Sequence, residues 1–142
     1  MLHPRLAGDC LRLGAFPLSE LLLMNDARYP WYILVPRREG IREIFELAEA
    51  DQQQLLHESS QLAQAMAGAL APDKLNIAAI GNIVPQLHVH HVARFRHDAA
   101  WPAPVWGIGT PEPYAGDAWR DAVASVLARL SPEFDPAPTE GF

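Results

Sequence analysis

Two apolar runs, Ser19 to Met24 (SELLLM) and Trp31 to Val35 (WYILV), constrain the fold most tightly. Neither alternates polar with apolar residues, so each reads as a strand buried on both faces. Pro36 ends the second run, and Asn25-Asp26-Ala27-Arg28-Tyr29-Pro30 between them is a turn by composition. Two buried strands joined by so short a turn make a hairpin. Leu11 to Phe16 (LRLGAF) adds a weaker strand before it.

Beyond the hairpin the period changes. Ile41, Ile44, Phe45 and Leu47 give a short amphipathic stretch, and Asp51 caps or starts a long helix. Leu55, Ser59, Leu62, Ala63, Met66 and Leu70 share one face of that helix. Gln53, Gln54, His57, Glu58, Gln61 and Gln64 fall on the opposite, polar face, where His57 is plain surface. Ala71-Pro72-Asp73 ends the helix, and Leu75 to Ile80 (LNIAAI) reads as the next strand. A last helix is expected from about Asp117 to Leu130, with Trp119, Val123, Val126, Leu127 and Leu130 at helical spacing.

Residues 97–113 carry six prolines or glycines beside Trp101 and Trp106. Long irregular segments of this kind in a small domain are often functional. The stretch Trp101 to Gly107 (WPAPVWG) is therefore expected to be ordered, near the site or a dimer seam. Residues 131–142 are Pro-rich and acidic and are expected to fray, leaving one domain over residues 1–130.

At 142 residues, 49% hydrophobic and 20% charged, the chain has the make-up of one soluble globule. Its single cysteine, Cys10, allows no internal disulfide and fits a reducing compartment. No signal peptide or membrane span is visible, so a cytoplasmic location without membrane contact is expected. The net charge of −6 argues against a nucleic-acid partner.

Chemistry concentrates in Gly81 to Arg96 (GNIVPQLHVHHVARFR). If this stretch is extended, Gln86, His88 and His90 project from one face and Leu87, Val89 and His91 from the other. Successive members of the row then stand roughly 7 Å apart. A neutral imidazole is a good nucleophile near pH 7, and a phosphorus centre over the central group would have donors on either side. His88 is that central group. Asn82 lies close enough upstream to add an amide donor. His91, on the other face, reads as a hydrogen-bonded residue beneath the helix layer. A metal site is the competing reading, since His-x-His on a strand is a common ligand pair, but no second cluster supplies the remaining ligands.

The pattern Gln86-x-His88-x-His90-His91, with Asn82 before it and Arg94 after it, resembles the histidine triad (HIT) family. Asn25-Asp26 followed by WYILVPR looks like that family's nucleoside-binding hairpin, and the likeness runs over roughly residues 10–96. The segments MNDARYPWYILVPRR, QLHVHHVARFR and WPAPVWG look similar to a bacterial subgroup described as diadenosine tetraphosphate hydrolase-like. The resemblance implies an α+β, HIT-like fold: a mainly antiparallel sheet with helices packed on it. It also implies a homodimer. Carried over residue by residue, it makes His88 the nucleophile, His90 a contact of the scissile phosphate, and Asn82 a phosphate ligand. Asn25 or Asp26 falls near the ribose, and Trp31 stands where the family has a His at the strand start.

Two positions depart from the pattern: Gln86 replaces the first His, and His91 an apolar residue. Gln can hydrogen-bond but cannot carry a proton. The implied activity is hydrolysis or transfer at the α-phosphorus of a dinucleoside polyphosphate or nucleoside phosphoramidate, with no cofactor and no metal. The alternatives are a nucleotide-binding protein with little turnover and a small metal-binding protein.

Overall fold

The computed structural model describes residues 1–137. A short helix, α1 (Pro4–Asp9), leads into β1 (Cys10–Ala15), β2 (Ser19–Met24) and β3 (Trp31–Pro36). A single 3-10 turn at Ile44–Glu46 precedes the long helix α2 (Glu49–Leu70); β4 (Lys74–Ala78) and β5 (Val89–Arg94) follow. Helix α3 (Trp119–Leu127) and a two-residue strand, β6 (Asp135–Pro136), complete the order. All pairings are antiparallel, and the sheet runs β4-β5-β3-β2-β1-β6. The expected hairpin is β2–β3, in register from Ser19 opposite Pro36 to Leu23 opposite Tyr32.

Double-sided burial explains the unbroken apolar runs. Tyr32 and Leu34 of β3 face α2 and α3, packed with Leu55, Leu62, Met66, Val123 and Val126. Trp31, Ile33 and Val35 face the other way, where Leu6 of α1 and Ala100 and Val105 of the irregular segment cover them. Each side chain so removed from water contributes about 1.5–3 kcal/mol. The sheet thus has a helix face and a strap face, and β5 lies between β3 and β4 with its residues alternating between them.

Three expectations change in the structure. Glu58, assigned to the polar face of α2, is fully buried and accepts from the Leu18 and Ser19 backbone N–H groups at 2.8 and 3.0 Å. Its carboxylate closes the β1–β2 turn, a task that helical periodicity does not reveal. The segment from residue 131 does not fray before residue 137. Phe134 is buried, 5.2 Å from Phe16 between ring centroids, and β6 pairs with β1. Gly14 makes that pairing possible: its φ is +152°, and a Cβ there would collide with the Asp135 carbonyl and the Phe134 ring. Residues 138–142, the remainder of the expected tail, lie outside the described residues. The third change concerns the chemistry-bearing stretch, where β5 begins only at Val89. Gln86 and His88 therefore precede the strand instead of riding on it.

Residues 97–113 are irregular but anchored. Arg94, 2% exposed, donates to Asp98 from Nε at 2.8 Å and Nη2 at 3.1 Å, to the Asn76 side chain at 2.8 Å and to the Ala103 carbonyl at 2.8 Å. Asp98 also accepts from the backbone of Phe95, Ala100 and Trp101. Burial alone would raise its pKa, but the Arg94 hydrogen bonds and these N–H groups outweigh it and hold the carboxyl well below the usual range. Removing one partner strands a buried guanidinium, so Asp98→Asn is expected to lower stability by about 3–5 kcal/mol. Urea denaturation checks this; a loss under about 1 kcal/mol would mean the pair is dispensable.

Candidate active site

The site forms where the loop after β4 enters β5. His90 pairs across the sheet with Ile33 of β3 and Ala78 of β4, so its backbone is fixed from both sides. Its side chain emerges on the strap face. There Trp31 lies 5.7 Å and Trp106 5.3 Å away between ring centroids, and the two indoles meet edge-on at 5.9 Å. His88 stands at the open end of this cluster, its ring 4.9 Å from that of His90.

The hydrogen bonds decide where the ring protons are. Trp31 Nε1 can only donate, and it donates to His90 Nδ1 at 2.9 Å. The neutral His90 ring therefore carries its proton on Nε2. Burial, with lesser repulsion from His88 and His91, pushes its pKa down to about 3, so His90 is neutral at ordinary pH. His88 is set the opposite way. Its Nδ1 lies 2.7 Å from the Gln86 main-chain carbonyl, which can only accept. The proton thus sits on Nδ1, and Nε2 keeps a free lone pair. Among the described residues no group forms a hydrogen bond to that nitrogen. His88 thus presents an unengaged Nε2 lone pair with its tautomer fixed, which suits it to nucleophilic chemistry, and His90 is a neutral N–H donor beside it.

His91 points to the helix face. It is fully buried, its Nδ1 bonds the Val89 carbonyl at 3.1 Å and its Nε2 pairs with Ser59 Oγ at 2.7 Å. Burial lowers its pKa to about 4, so it sits neutral beneath α2.

The other residues singled out in the sequence disperse. The Gln86 side chain turns to the N-terminal segment: Oε1 accepts from the His3 backbone N–H at 2.7 Å, and Nε2 donates to the Met1 carbonyl at 3.1 Å. It makes no side-chain hydrogen bond to His88 or His90. Asn82 is exposed on the turn before the site, next to Gly81 at φ +69°, and is not among the residues lining the hollow beside His88. Asn25, Asp26 and Trp31 do come together, lining one cleft of about 510 Å³ with Met24 and Trp106. Within it the Asn25 Oδ1 accepts from the Tyr114 backbone at 2.9 Å. Asp26 is buried and bridged to Arg28 at 2.8 Å. Burial would raise the Asp26 pKa, but the bonds from Arg28 and from the Glu112 backbone outweigh it, leaving the carboxylate below its usual value. Trp106 belongs to the site as well, whereas Trp101 stacks 5.7 Å from the Arg94 guanidinium and braces the strap.

Sequence reasoning missed one contributor entirely. Arg42 lines the hollow of about 140 Å³ next to His88, because the Leu87 N–H donates to the Ile41 carbonyl at 2.9 Å and draws that loop against the site. No local pattern marks a contact between residues so far apart in the chain. Cys10, with its pKa pushed up to about 12 by burial and by the neighbouring Asp9, stays a thiol. Among the described residues no group of three or more His, Cys, Asp or Glu is placed to hold a metal ion, and no helix is long and apolar enough to cross a membrane.

The HIT domain family matches residues 7–97, which include β1 to β5 and both site histidines. The chain belongs to the HIT domain family. Solved structures of HIT proteins share its fold closely. A histidine triad protein from Marinobacter aquaeolei is 50% identical with a TM-score of 0.88, over 92% of this chain and 95% of that one. A histidine triad protein from Bradyrhizobium japonicum is 44% identical with a TM-score of 0.89, over 92% of this chain and 98% of its own. One from Sinorhizobium meliloti is 44% identical at 0.89, over 92% of this chain and 96% of that one. No protein with a curated description matches.

A paired substitution separates main chain from side chain at the first triad position. Gln86→Ala keeps the carbonyl that fixes His88, so turnover is expected to stay within about threefold of wild type, less than one positioning hydrogen bond. Trp31→Phe removes the indole N–H that donates to His90 Nδ1 and is expected to lower kcat by about tenfold or more. Steady-state kinetics on the two purified variants checks both, and a larger loss in Gln86→Ala than in Trp31→Phe would reverse the assignment.

Proposed function

We propose that this HIT protein cleaves nucleotide conjugates at the α-phosphorus through a nucleotidyl-His88 intermediate. The single observation that supports this most is the His88 ring, whose Nδ1 is locked on the Gln86 carbonyl and whose Nε2 is free. In this reading the Nε2 lone pair attacks phosphorus, the neutral His90 Nε2–H holds a phosphoryl oxygen, and the bond to the leaving group breaks. Water then attacks the same phosphorus and regenerates the ring. The cleft beside Trp31, Asn25 and Asp26 is the nucleoside side of the site. Asp26, already bridged to Arg28, reaches a ribose only by sharing oxygens. Asn82 reaches a phosphate only if its turn closes over the hollow. Dinucleoside polyphosphates, of the kind that the diadenosine tetraphosphate hydrolase-like resemblance implies, and nucleoside phosphoramidates are the substrate classes.

A second reading, a nucleotide binder with little turnover, draws on Gln86, which has no proton to give. Both readings are tested by quenching the enzyme with substrate and weighing it intact. A mass increase of one nucleotidyl group, absent in His88→Ala, is expected, together with a fall in turnover of roughly 10³-fold or more in that variant. Tight nucleotide binding without adduct or turnover would favour the binder.

We further propose that the protein works as a homodimer through the free edge of β4. That strand is hydrogen-bonded on one side only, and Ile77, Ile80 and Ile83 near it are 49%, 41% and 71% exposed. Antiparallel pairing of the edge with its own copy about a two-fold axis covers them. Ile77→Glu is expected to sediment as a monomer where the wild type sediments as a dimer. A monomeric wild type would refute the dimer.

A further inference from the structure

We propose that Arg42 forms the leaving-group end of the site and selects conjugates whose leaving group departs as a phosphate anion. This deepens the reading above and rests on it for the identity of the reacting phosphorus. The first line of support is position. From the nucleoside cleft, Trp31 and Trp106 touch His90, His90 touches His88, and His88 lines the small hollow that Arg42 also lines. Arg42, Pro85 and Gln86 in turn border a wider cleft of about 610 Å³. The histidines thus separate two clefts, and Arg42 stands at the junction on the side away from the nucleoside.

The second line is charge. Arg37 and Arg38 also line the wider cleft, but Arg38 is bridged to Asp51 at 2.7 Å, and Arg37 caps the Phe16 and Pro17 carbonyls. Among the described residues the Arg42 guanidinium has neither ion-pair nor hydrogen-bond partner. Its backbone is nevertheless held, by Glu46 Oε1 on its own N–H at 3.1 Å and by the Leu87–Ile41 bond beside it. Glu43 lines the same hollow, and its backbone, like that of Arg42, is held by Glu46 Oε1, at 2.9 Å. A fixed main chain presenting an unengaged planar fork suits a phosphate, which accepts two parallel N–H bonds.

The third line is the supply of protons. A leaving amine must be protonated as it departs, whereas a polyphosphate leaves as an anion. Gln86 has no proton to lend, and His90, holding Trp31's hydrogen bond on Nδ1, has only the neutral Nε2–H. The step that balances without an acid is attack by the His88 Nε2 pair on the α-phosphorus. The phosphorus–oxygen bond to the leaving chain breaks, and its electron pair stays on the departing oxygen beside Arg42. Water then adds to phosphorus, the pair of the N–P bond returns to Nε2, and one proton passes to solvent.

The test compares Arg42→Gln with Arg96→Gln, a loss of the same charge at an exposed residue outside the site. Relative to wild type, Arg42→Gln is expected to lower kcat/KM for diadenosine tetraphosphate about tenfold more than for adenosine 5′-phosphoramidate. It is also expected to weaken binding of inorganic tripolyphosphate, measured by calorimetry, by a similar factor, and Arg42→Lys should restore part of each. Arg96→Gln should change neither. An Arg42→Gln variant that binds tripolyphosphate like Arg96→Gln, or loses equally on the two substrates, overturns the proposal. So does a wild type that prefers the phosphoramidate. If the wild type turns over neither substrate and forms no adduct, the catalytic reading fails. The binding result then decides on its own whether Arg42 holds the anion.

Discussion

Four polar side chains between positions 88 and 94 are buried: His88, His90, His91 and Arg94 are 7%, 5%, 0% and 2% exposed. A sheet covered on both faces leaves them no water, and an unpaired buried polar group costs several kcal/mol. Each is therefore tied to specific partners: His88 to a backbone carbonyl, His90 to Trp31, His91 to the Val89 carbonyl and Ser59, Arg94 to Asp98, Asn76 and the Ala103 carbonyl. Those partners do more than satisfy hydrogen bonds. They settle which nitrogen of each ring holds its proton, and the state of the other nitrogen separates a free lone pair at His88 from an N–H donor at His90 and a ring braced at both ends at His91. The chemistry of the site is in this sense a by-product of the burial that the fold imposes.

The same constraint links distant segments. Arg94 pins the irregular strap by three bonds to Asp98 and the Ala103 carbonyl and ties it to β4 by a fourth to Asn76, and the strap in turn presses Trp106 onto His90. On the other face Ser59 of α2 reaches His91, so the helix layer is keyed to the register of β5. A one-residue slip of β5 would send His90 under the helix and His91 to the cleft, exchanging the cleft imidazole for the brace. The apolar alternation of Val89 and Val92 alone would not prevent this; the two histidine partners do.

Much of this is legible in the sequence, for physical reasons that are easy to name. The β2–β3 hairpin is readable because runs as apolar as SELLLM and WYILV have no other stable place than between two layers. His90 and the inward His91 follow from strand alternation, and the triad pattern adds His88 and the fold. Gln86 escapes that reading because β5 begins only at Val89, so the alternation does not reach back to it. Its side chain turns to Met1 and His3 while its carbonyl does the orienting. Glu58 is hidden because a carboxylate that accepts from backbone N–H groups has no partner visible in the helical period. Phe134 is masked by its Pro-rich surroundings, although the glycine that admits it, Gly14, sits in β1 far upstream. In each case the hidden element is a contact between segments with no local signature.

The replacement of an imidazole by Gln at the first triad position looks damaging only if that position must move a proton. The structure separates two jobs there. Orientation of His88 is done by the main chain at residue 86, which any side chain leaves intact. Proton transfer would need a titrating ring, and the site keeps none free for it, because His90 is buried against two indoles and held neutral. A ring in that setting gains nothing by ionising: it would have to break the Trp31 hydrogen bond or carry a charge among aromatic faces without counter-ion. In the reaction proposed for the site it serves as a fixed dipole that meets charge developing on a phosphoryl oxygen without reorganising, and fixed dipoles of this kind supply much of the stabilisation that such transition states receive. A site so built stabilises charge well and moves protons poorly, and the reactions open to it follow from that imbalance.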